Sequence, residues 1–423
     1  MKLLILTQYY PPETGAAQNR LHEMALRLKS RGVDITVLTA MPNYPQMKVY
    51  DGYRRRCYKR EEVDGIVVHR SWIFAGRSKS VFLRLLNYFS FVITSFFAGW
   101  FRTPKCDYVF CESPPLFLGI SAWLLSVIKR AGLILNVSDL WPESAEKLGL
   151  VRSRLLLGIS RRLEEFLYRR SVLVTGQTQG IVNNISGRFP LKKVYWFPNG
   201  ARLENFSPDG INISWRIKHG FAPGDFLVFY GGILGHAQGL EVILHAAARL
   251  TGLPDIKFVI MGSGPRRDEL LKLKEEMKLR RLHFFDTVGK AEMPAVIAAM
   301  DVSVIPLKRL ELFKGAIPSK IFESLAMKKP VLLGVEGEAK ELFIDEGGCG
   351  LAFVPEDAAD LEAKIRQLYE DRELLKKLGE NARACVEKKF NRDIITDELL
   401  SQFLQLYEEG KEGKKAGSKT LKQ

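Results

Sequence analysis

What narrows the fold of this chain most is an alternation. Short apolar runs alternate with amphipathic stretches, and the series starts again after a Pro-, Gly- and Asn-rich segment from Pro198 to Gly224. The first series opens with Leu3–Leu6 and a polar, Pro-rich loop to Gly15. A helix follows from Ala16 to Arg31, with Leu21, Met24, Ala25 and Leu28 on one face, and Gly32 stops it. Asp34–Thr39 is the next strand. This order predicts an α/β fold with a doubly wound parallel sheet. The second series predicts strands at Phe226–Tyr230, Lys257–Met261, Leu282–Phe285, Val302–Pro306, Val331–Val335 and Leu351–Val354. A chain of 423 residues is too long for one core. Two domains are expected, 1–200 and 201–390, then an amphipathic helix over 391–409 and a Lys/Gly-rich tail, 410–423, expected to be disordered.

Charge is placed unevenly. Residues 1–200 hold 29 Lys and Arg against 14 Asp and Glu, whereas residues 201–423 hold 34 of each, so the first half carries the whole net charge of +15. A one-sided basic field favours an anionic surface. The basic clusters Arg54-Arg55-Arg56, Arg161-Arg162 and Arg169-Arg170 sit in no nucleic-acid motif, so an anionic membrane surface is expected and nucleic acid is not. Five cysteines without paired or zinc spacing point to a reducing compartment. The first residues read as a strand rather than a signal peptide. The expected location is therefore cytoplasmic, peripheral on the inner face of the cell membrane.

Val81–Phe101 is the most hydrophobic stretch, with seventeen uncharged residues from Leu85 to Phe101. That reaches the lower edge of a span, roughly 17–25 residues. A single crossing would separate Ile66–Val68 from Tyr108–Cys111, both read as strands of one sheet, so an interfacial helix is expected instead. Its aromatics, among them Phe82, Trp100 and Phe101, and the flanking Arg77, Lys79, Arg84, Arg102 and Lys105 suit a headgroup boundary. The competing reading is a fully buried crossover helix.

Chemistry is expected around Gly315–Pro330. Ser319 after Pro318 reads as an N-cap. The helix end and the Lys320 ammonium would form a phosphate site, and Glu323, one turn in, would accept hydrogen bonds from a ribose diol. Gly231-Gly-Ile-Leu-Gly235 and Gly262-Ser-Gly264 end two further strands of the same series. Three Gly-rich turns on successive strand ends form a phosphate cradle. Gly15 ends the first loop and lies beside the first domain's crevice. Asp139 and Glu143, in the loop after Leu133–Val137, are candidates for binding or deprotonating sugar hydroxyls. Alternatively, Asp139 caps the following turn and Trp141 packs.

Four stretches carry a family resemblance: Gln8-Tyr-Tyr-Pro-Pro-Glu-Thr-Gly15, Phe197–Pro208, Tyr230–Gly239 and Gly315–Pro330. Together they resemble the family-4 retaining glycosyltransferases of the GT-B fold, two doubly wound, Rossmann-like domains facing across a cleft with the last helix returning to the first. Gly231–Gly239, Asp139–Glu143 and Pro318–Lys320 look most like the N-acetylfucosaminyltransferase type of bacterial O-antigen and capsule assembly. The resemblance implies retaining transfer from a UDP-sugar to an undecaprenyl-diphosphate-linked saccharide, with no cofactor. The catalytic candidates are Lys320, to neutralise the departing phosphate, and Asp139, which need not act as a base if that phosphate takes the acceptor proton. The donor would be held by Gly15, Gly232, Gln238, Gly262, Ser263, Gly264, Pro318, Ser319, Lys320 and Glu323, and the acceptor by Asp139 and Glu143. Glu323 matches the second Glu of the family's Glu-x7-Glu motif, and Gly315 stands where the first is expected. The usual Arg and Lys of the diphosphate clamp are replaced within Gly232–Gly239 by Ile233, His236 and Gln238. The lost Glu fits a donor such as an N-acetylated 6-deoxy amino sugar. No Asp-x-Asp occurs in the chain, so metal independence is expected. A UDP-sugar 2-epimerase of the same architecture and a non-enzymatic nucleotide-sugar-binding scaffold are the competing readings.

Overall fold

The computed structural model describes every residue except 14, 45–46, 77–80, 148–150, 152, 209–213 and 421–423, and the side chains except those at 16, 81, 82, 84 and 413–420. Arg77 and Lys79, expected to flank the apolar helix, and the side chains of Arg84 and of the helix aromatic Phe82 therefore lie outside the described residues. The chain forms two compact units, Met1–Pro198 with Ile395–Gln423, and Asn199–Ile394.

Unit 1 contains β1 (Lys2–Leu6), α1 (Ala16–Ser30), β2 (Asp34–Ala40), β3 (Tyr58–Val63), β4 (Ile66–Ser71), α2 (Val81–Arg102), β5 (Tyr108–Ser113), α3 (Leu118–Lys129) and β6 (Gly132–Val137). It continues with α4 (Glu143–Lys147), α5 (Arg154–Arg170), β7 (Leu173–Gly176), α6 (Gln179–Arg188) and β8 (Val194–Trp196). The sheet runs β3-β4-β2-β1-β5-β6-β7-β8. It is parallel apart from β3, which pairs antiparallel with β4 in the register Val63↔Ile66. The two-residue turn between them is Asp64-Gly65, with φ of 48° and 79°. That is the left-handed pair a tight hairpin needs. The sequence Tyr-Lys-Arg-Glu-Glu-Val of β3 has almost no apolar face, which is why apolar runs alone did not reveal it; an edge strand needs none.

The two faces of this sheet hold different cores. Leu4, Leu6, Leu38, Val109 and Leu135 pack with Phe91 of α2, Leu118, Ala122 and Leu125 of α3, Leu167 of α5 and Ile181 of α6. Leu3, Ile5, Val37, Phe110 and Ile134 face the other way, onto Leu21, Met24 and Leu28 of α1 and onto Ile395, Leu399 and Phe403. Those last three belong to the final helix, Arg392–Thr420. The segment 410–420, expected to be disordered, continues this helix, helped by Lys and Ala among the helix formers and by the Lys411–Glu408 pair at 3.2 Å.

Unit 2 contains α7 (Ser214–Lys218), β9 (Phe226–Gly231), α8 (Glu241–Arg249), β10 (Ile256–Met261), α9 (Arg267–Glu276), β11 (Leu282–Phe285), α10 (Met293–Ala298) and β12 (Val302–Pro306). It ends with α11 (Lys320–Ala326), β13 (Val331–Gly334), α12 (Glu338–Lys340), β14 (Gly350–Ala352), α13 (Ala358–Glu370) and α14 (Arg372–Lys389). The last helix of the chain, described with unit 1, is α15. The six strands, all parallel, run β11-β10-β9-β12-β13-β14. The order reverses between β9 and β12. In a sheet wound this way the loops leaving those two strands part and open a crevice at their carboxyl ends. The corresponding switch in unit 1 lies between β1 and β5.

Candidate functional site

β9 ends at Gly231, and its loop begins with Gly232, directly at the switch point of unit 2. Its backbone zips onto the loop after β10: Gly232 N–H donates to Met261 O at 2.9 Å, and Leu234 N–H to Ser263 O at 2.9 Å. Gly262 and Gly264 are what permit this. A Cβ on Gly262 would overlap the Gly232 carbonyl, and one on Gly264 the backbone of Leu234. The two glycine turns foreseen from sequence are thus one structure, two loops in backbone contact.

Lys320, the first residue of α11, reaches into this crevice. Its Nζ donates to Tyr230 Oη at 2.8 Å and lies 4.0 Å from the centre of that ring. Tyr230 Oη in turn donates to Ile233 O at 2.7 Å. The position a Cβ would take on Gly232 is 2.7 Å from Lys320 Nζ, so the glycine leaves room for the amine. Burial pushes the Lys320 ammonium down to about 7, opposed by Glu323, which favours the charged form. Glu323 is itself pushed up by burial, against the pull of Lys290 and Lys320. Lys290, between Gly289 and α10, is also lowered by burial, with Glu323 opposing the shift. A carboxylate therefore lies in the field of two desolvated lysines.

Lys290 and Tyr230 were not foreseen. The signal for Lys290 was available, a cation directly after a glycine beyond a strand end. Tyr230 reads in sequence as the end of an apolar run, and only its hydroxyl reveals the role.

Ser319 needs a correction. It occupies the N-cap position, but its backbone is already helical (φ −60°, ψ −23°) and its side chain caps nothing. Pro318 O accepts instead from Ile321 N–H at 3.1 Å, drawing the turn back by a residue. The helix it starts has 7 residues, too short to add much field, so the positive charge of the site is that of the lysines. Gln238 lies in a single 3-10 turn, His236–Gln238, with its amide against Gly235, at 2.7 Å from where a Cβ would sit. Gly315 ends a 3-10 turn, and a Cβ there meets nothing within 4 Å.

In unit 1 the expected carboxylates are occupied locally. Asp139 is exposed and accepts from Ser144 Oγ of the short α4, while Glu143 pairs with Lys147 at 2.7 Å. Trp141 packs edge-on against Phe117, ring centres 5.6 Å apart. The buried polar centre at the carboxyl end of the sheet is a different one. Glu112 at the end of β5 pairs with Arg20 of α1 at 2.6 Å, accepts from Asn136 Nδ2 at 2.6 Å and accepts from Ser138 Oγ. Arg20 also donates to Ser138 Oγ at 2.7 Å, and Thr175 Oγ1 donates to Asn136 Oδ1 at 2.6 Å. Asn136 in the otherwise apolar run Leu133–Val137 was the trace of this network in sequence. Arg20 Nε is buried with no partner.

The first loop is held from below. Glu13 accepts from the backbone N–H groups of Tyr10, Asn43 and Tyr44, at 3.2, 2.7 and 2.8 Å. Burial still pushes its carboxyl up. Fully buried Arg70 donates to Pro11 O and pairs with Glu61. Gly15 is delivered in this way to the start of α1, where no side chain caps the helix.

Two family descriptions match this chain: a glycosyl transferase 4-like domain over residues 15–200 and glycosyl transferases group 1 over 212–384. The chain belongs to the group 1 glycosyltransferases. Among curated relatives it is similar to the putative colanic acid biosynthesis glycosyl transferase WcaI of Escherichia coli K12, 27% identical over 95% of this chain and 99% of that protein. The fold is that of GT-B glycosyltransferases. Sucrose-phosphate synthase of Thermosynechococcus elongatus superposes with a TM-score of 0.74 at 17% identity, covering 96% of this chain and 99% of the other. Anabaena HepE, solved with UDP and glucose, gives 0.70 at 19% identity, over 96% and 100%. In this glycosyltransferase the glycine turns, Tyr230, Lys320, Glu323 and Lys290 share one unit, matched by the group 1 description, and the Arg20–Glu112 network belongs to the other.

Proposed function

We propose that the chain transfers a sugar, with retention of anomeric configuration, from a UDP-sugar to an undecaprenyl-diphosphate-linked saccharide during bacterial surface-polysaccharide assembly. The observation that carries this reading is the buried Lys320 amine, donating to Tyr230 Oη and set between that ring and the glycine turns at the switch point. A diphosphate fits those surroundings. Backbone approaches it without side chains, and a cation whose charge burial disfavours regains it beside an anion. Glu323 takes the ribose hydroxyls. HepE, solved with UDP and with UDP-glucose, and WcaI, named for colanic acid biosynthesis, support the donor and the setting.

In the proposed reaction the bond from the anomeric carbon to the β-phosphate oxygen breaks. The acceptor oxygen bonds to the same face of that carbon, and its proton passes to the departing phosphate. Lys320 balances the charge that develops there. Asp139 positions the acceptor rather than removing a proton, since Ser144 already engages it. Transfer is proposed to need no metal. Gly315, open where a glutamate would contact an ordinary hexose, favours an N-acetylated 6-deoxy amino sugar as the donor group.

The test is a panel of radiolabelled UDP-N-acetyl sugars incubated with the protein and native bacterial membranes. Label should enter the lipid extract with one donor, and EDTA should leave the rate unchanged. Release of free sugar alone would identify an epimerase. No turnover with any UDP-sugar would leave a binding scaffold.

A further inference from the structure

Helix α2 is apolar on both sides. Its buried side carries Phe91 and Val92 together with Asn87, Ser95 and Gly99, and its solvent side carries Leu86, Phe89, Ile93, Phe97, Trp100 and Phe101. These six recur at three- and four-residue spacing and so form one stripe. Ile93 is 58% exposed and Phe101 67%. The inner polar groups are satisfied: Asn87 accepts from Gln8 Nε2 at 2.8 Å and donates to Phe74 O, and Ser95 donates to Ser121 Oγ at 3.0 Å. A helix facing water on its outer side would carry polar residues there in place of this stripe.

The stripe does not end with α2. At Gly99 the helix lies against Leu125 of α3, and Lys129 Nζ donates to Thr103 O at 2.9 Å and Pro104 O at 3.1 Å. The carboxyl ends of the two helices are therefore side by side. Val127 and Ile128 of α3 are exposed there, at 58% and 41%. Exposed Arg102, Lys105 and Arg130 stand at the same end, and neither helix contains an acidic residue.

We infer that the outer surface formed by α2 and the carboxyl end of α3 is the face by which this protein lies on an anionic lipid bilayer. The inference deepens the membrane setting of the proposed function and rests on it. An apolar stripe on helices that carry no acidic residue, bordered by cations, suits the boundary between acyl chains and anionic headgroups. Trp100, next to Arg102, is the kind of side chain that settles at that depth. Sequence pointed at α2 alone; the structure extends the face to α3 and orients it.

The test is co-sedimentation with phosphatidylcholine vesicles containing about a third phosphatidylglycerol. Ile93→Ser/Phe97→Ser/Phe101→Ser should weaken binding about tenfold or more, because each of these side chains is exposed and folding is unaffected. Val127→Ser/Ile128→Ser should weaken it as well. Arg102, Lys105 and Arg130 changed to Gln should each cost about fivefold, most visibly at low salt. Leu404→Ser, an exposed apolar change on α15 over the opposite sheet face, should have no effect. Thermal unfolding and UDP binding should be the same in every variant. Absence of vesicle binding by the unaltered chain, or equal loss with Leu404→Ser, would overturn the inference. So would a dimer that the same substitutions dissociate. Transfer to a water-soluble acceptor analogue without lipid binding would refute the docking face and leave the transferase reading intact. Lipid binding without UDP binding would do the reverse.

Discussion

Lys320 carries two opposed forces, and their balance is measurable. Burial favours the neutral amine, with its pKa near 7, whereas an unfolded lysine stays charged to beyond pH 10. Between those limits the folded free protein lacks a proton that a bound diphosphate restores. UDP binding at pH 8 should therefore take up a proton, detected as calorimetric heats that change with the buffer's ionisation enthalpy. Affinity should fall by up to about tenfold per pH unit above 7. Lys320→Arg, charged throughout, should abolish that slope even if it binds UDP poorly. Lys320→Ala should cut turnover about 100-fold or more, as loss of one charge-stabilising donor does. Glu323→Gln should raise the Kd for UDP more than it lowers kcat; a normal Kd would remove Glu323 from the ribose.

Strand ends and their loops explain why these residues meet. The apolar runs of β9 and β10 were legible in sequence because parallel strands buried on both faces are nearly all hydrophobic. The zipping of their loops was not, because it depends on Gly262 lying against the Gly232 carbonyl. Gly262→Ala should destabilise unit 2 by about 1–3 kcal/mol, read from urea unfolding, since a backbone atom cannot give way as a side chain can. In unit 1, removing Glu112 strands Arg20 at the carboxyl end of β5. Glu112→Ala should cost about 3–5 kcal/mol, and Arg20→Met/Glu112→Leu together should cost much less. If the double change is as costly as the single one, the network does more than satisfy its own charges.

For the whole molecule, unit 1 is opened by the first residues and closed by the last. Phe403 of α15 is fully buried and meets Phe110 edge-on at 6.2 Å, on the face shared with α1. Arg31 of the segment after α1 pairs with Asp397, and Lys193 with Glu409 at 2.6 Å. Phe403→Ala should cost about 3–5 kcal/mol. A chain cut before Ile395 should expose the α1 face of the sheet, and unit 1 alone should then be cleaved rapidly by protease while unit 2 resists. Equal resistance of both units would mean that α15 adds little.

The repeated strand–helix alternation, the Pro- and Gly-rich break and the one-sided charge are local properties of composition and spacing, and they determine two wound sheets and a basic first half. Lys320, Glu323 and the glycine turns were legible because glycine and isolated charges at strand ends have few other uses. What only the tertiary structure decided is which of these touch. Tyr230 beneath Lys320, Lys290 opposite Glu323 and Arg20 on Glu112 join residues 33 to 92 positions apart. No periodicity encodes such distances. Ser319, by contrast, was misjudged from sequence, because a hydroxyl after a proline looks the same whether or not it caps the helix that follows. Nor can hydropathy tell which side of α2 faces out, since both sides are apolar enough to be core; the sheet beneath decides it.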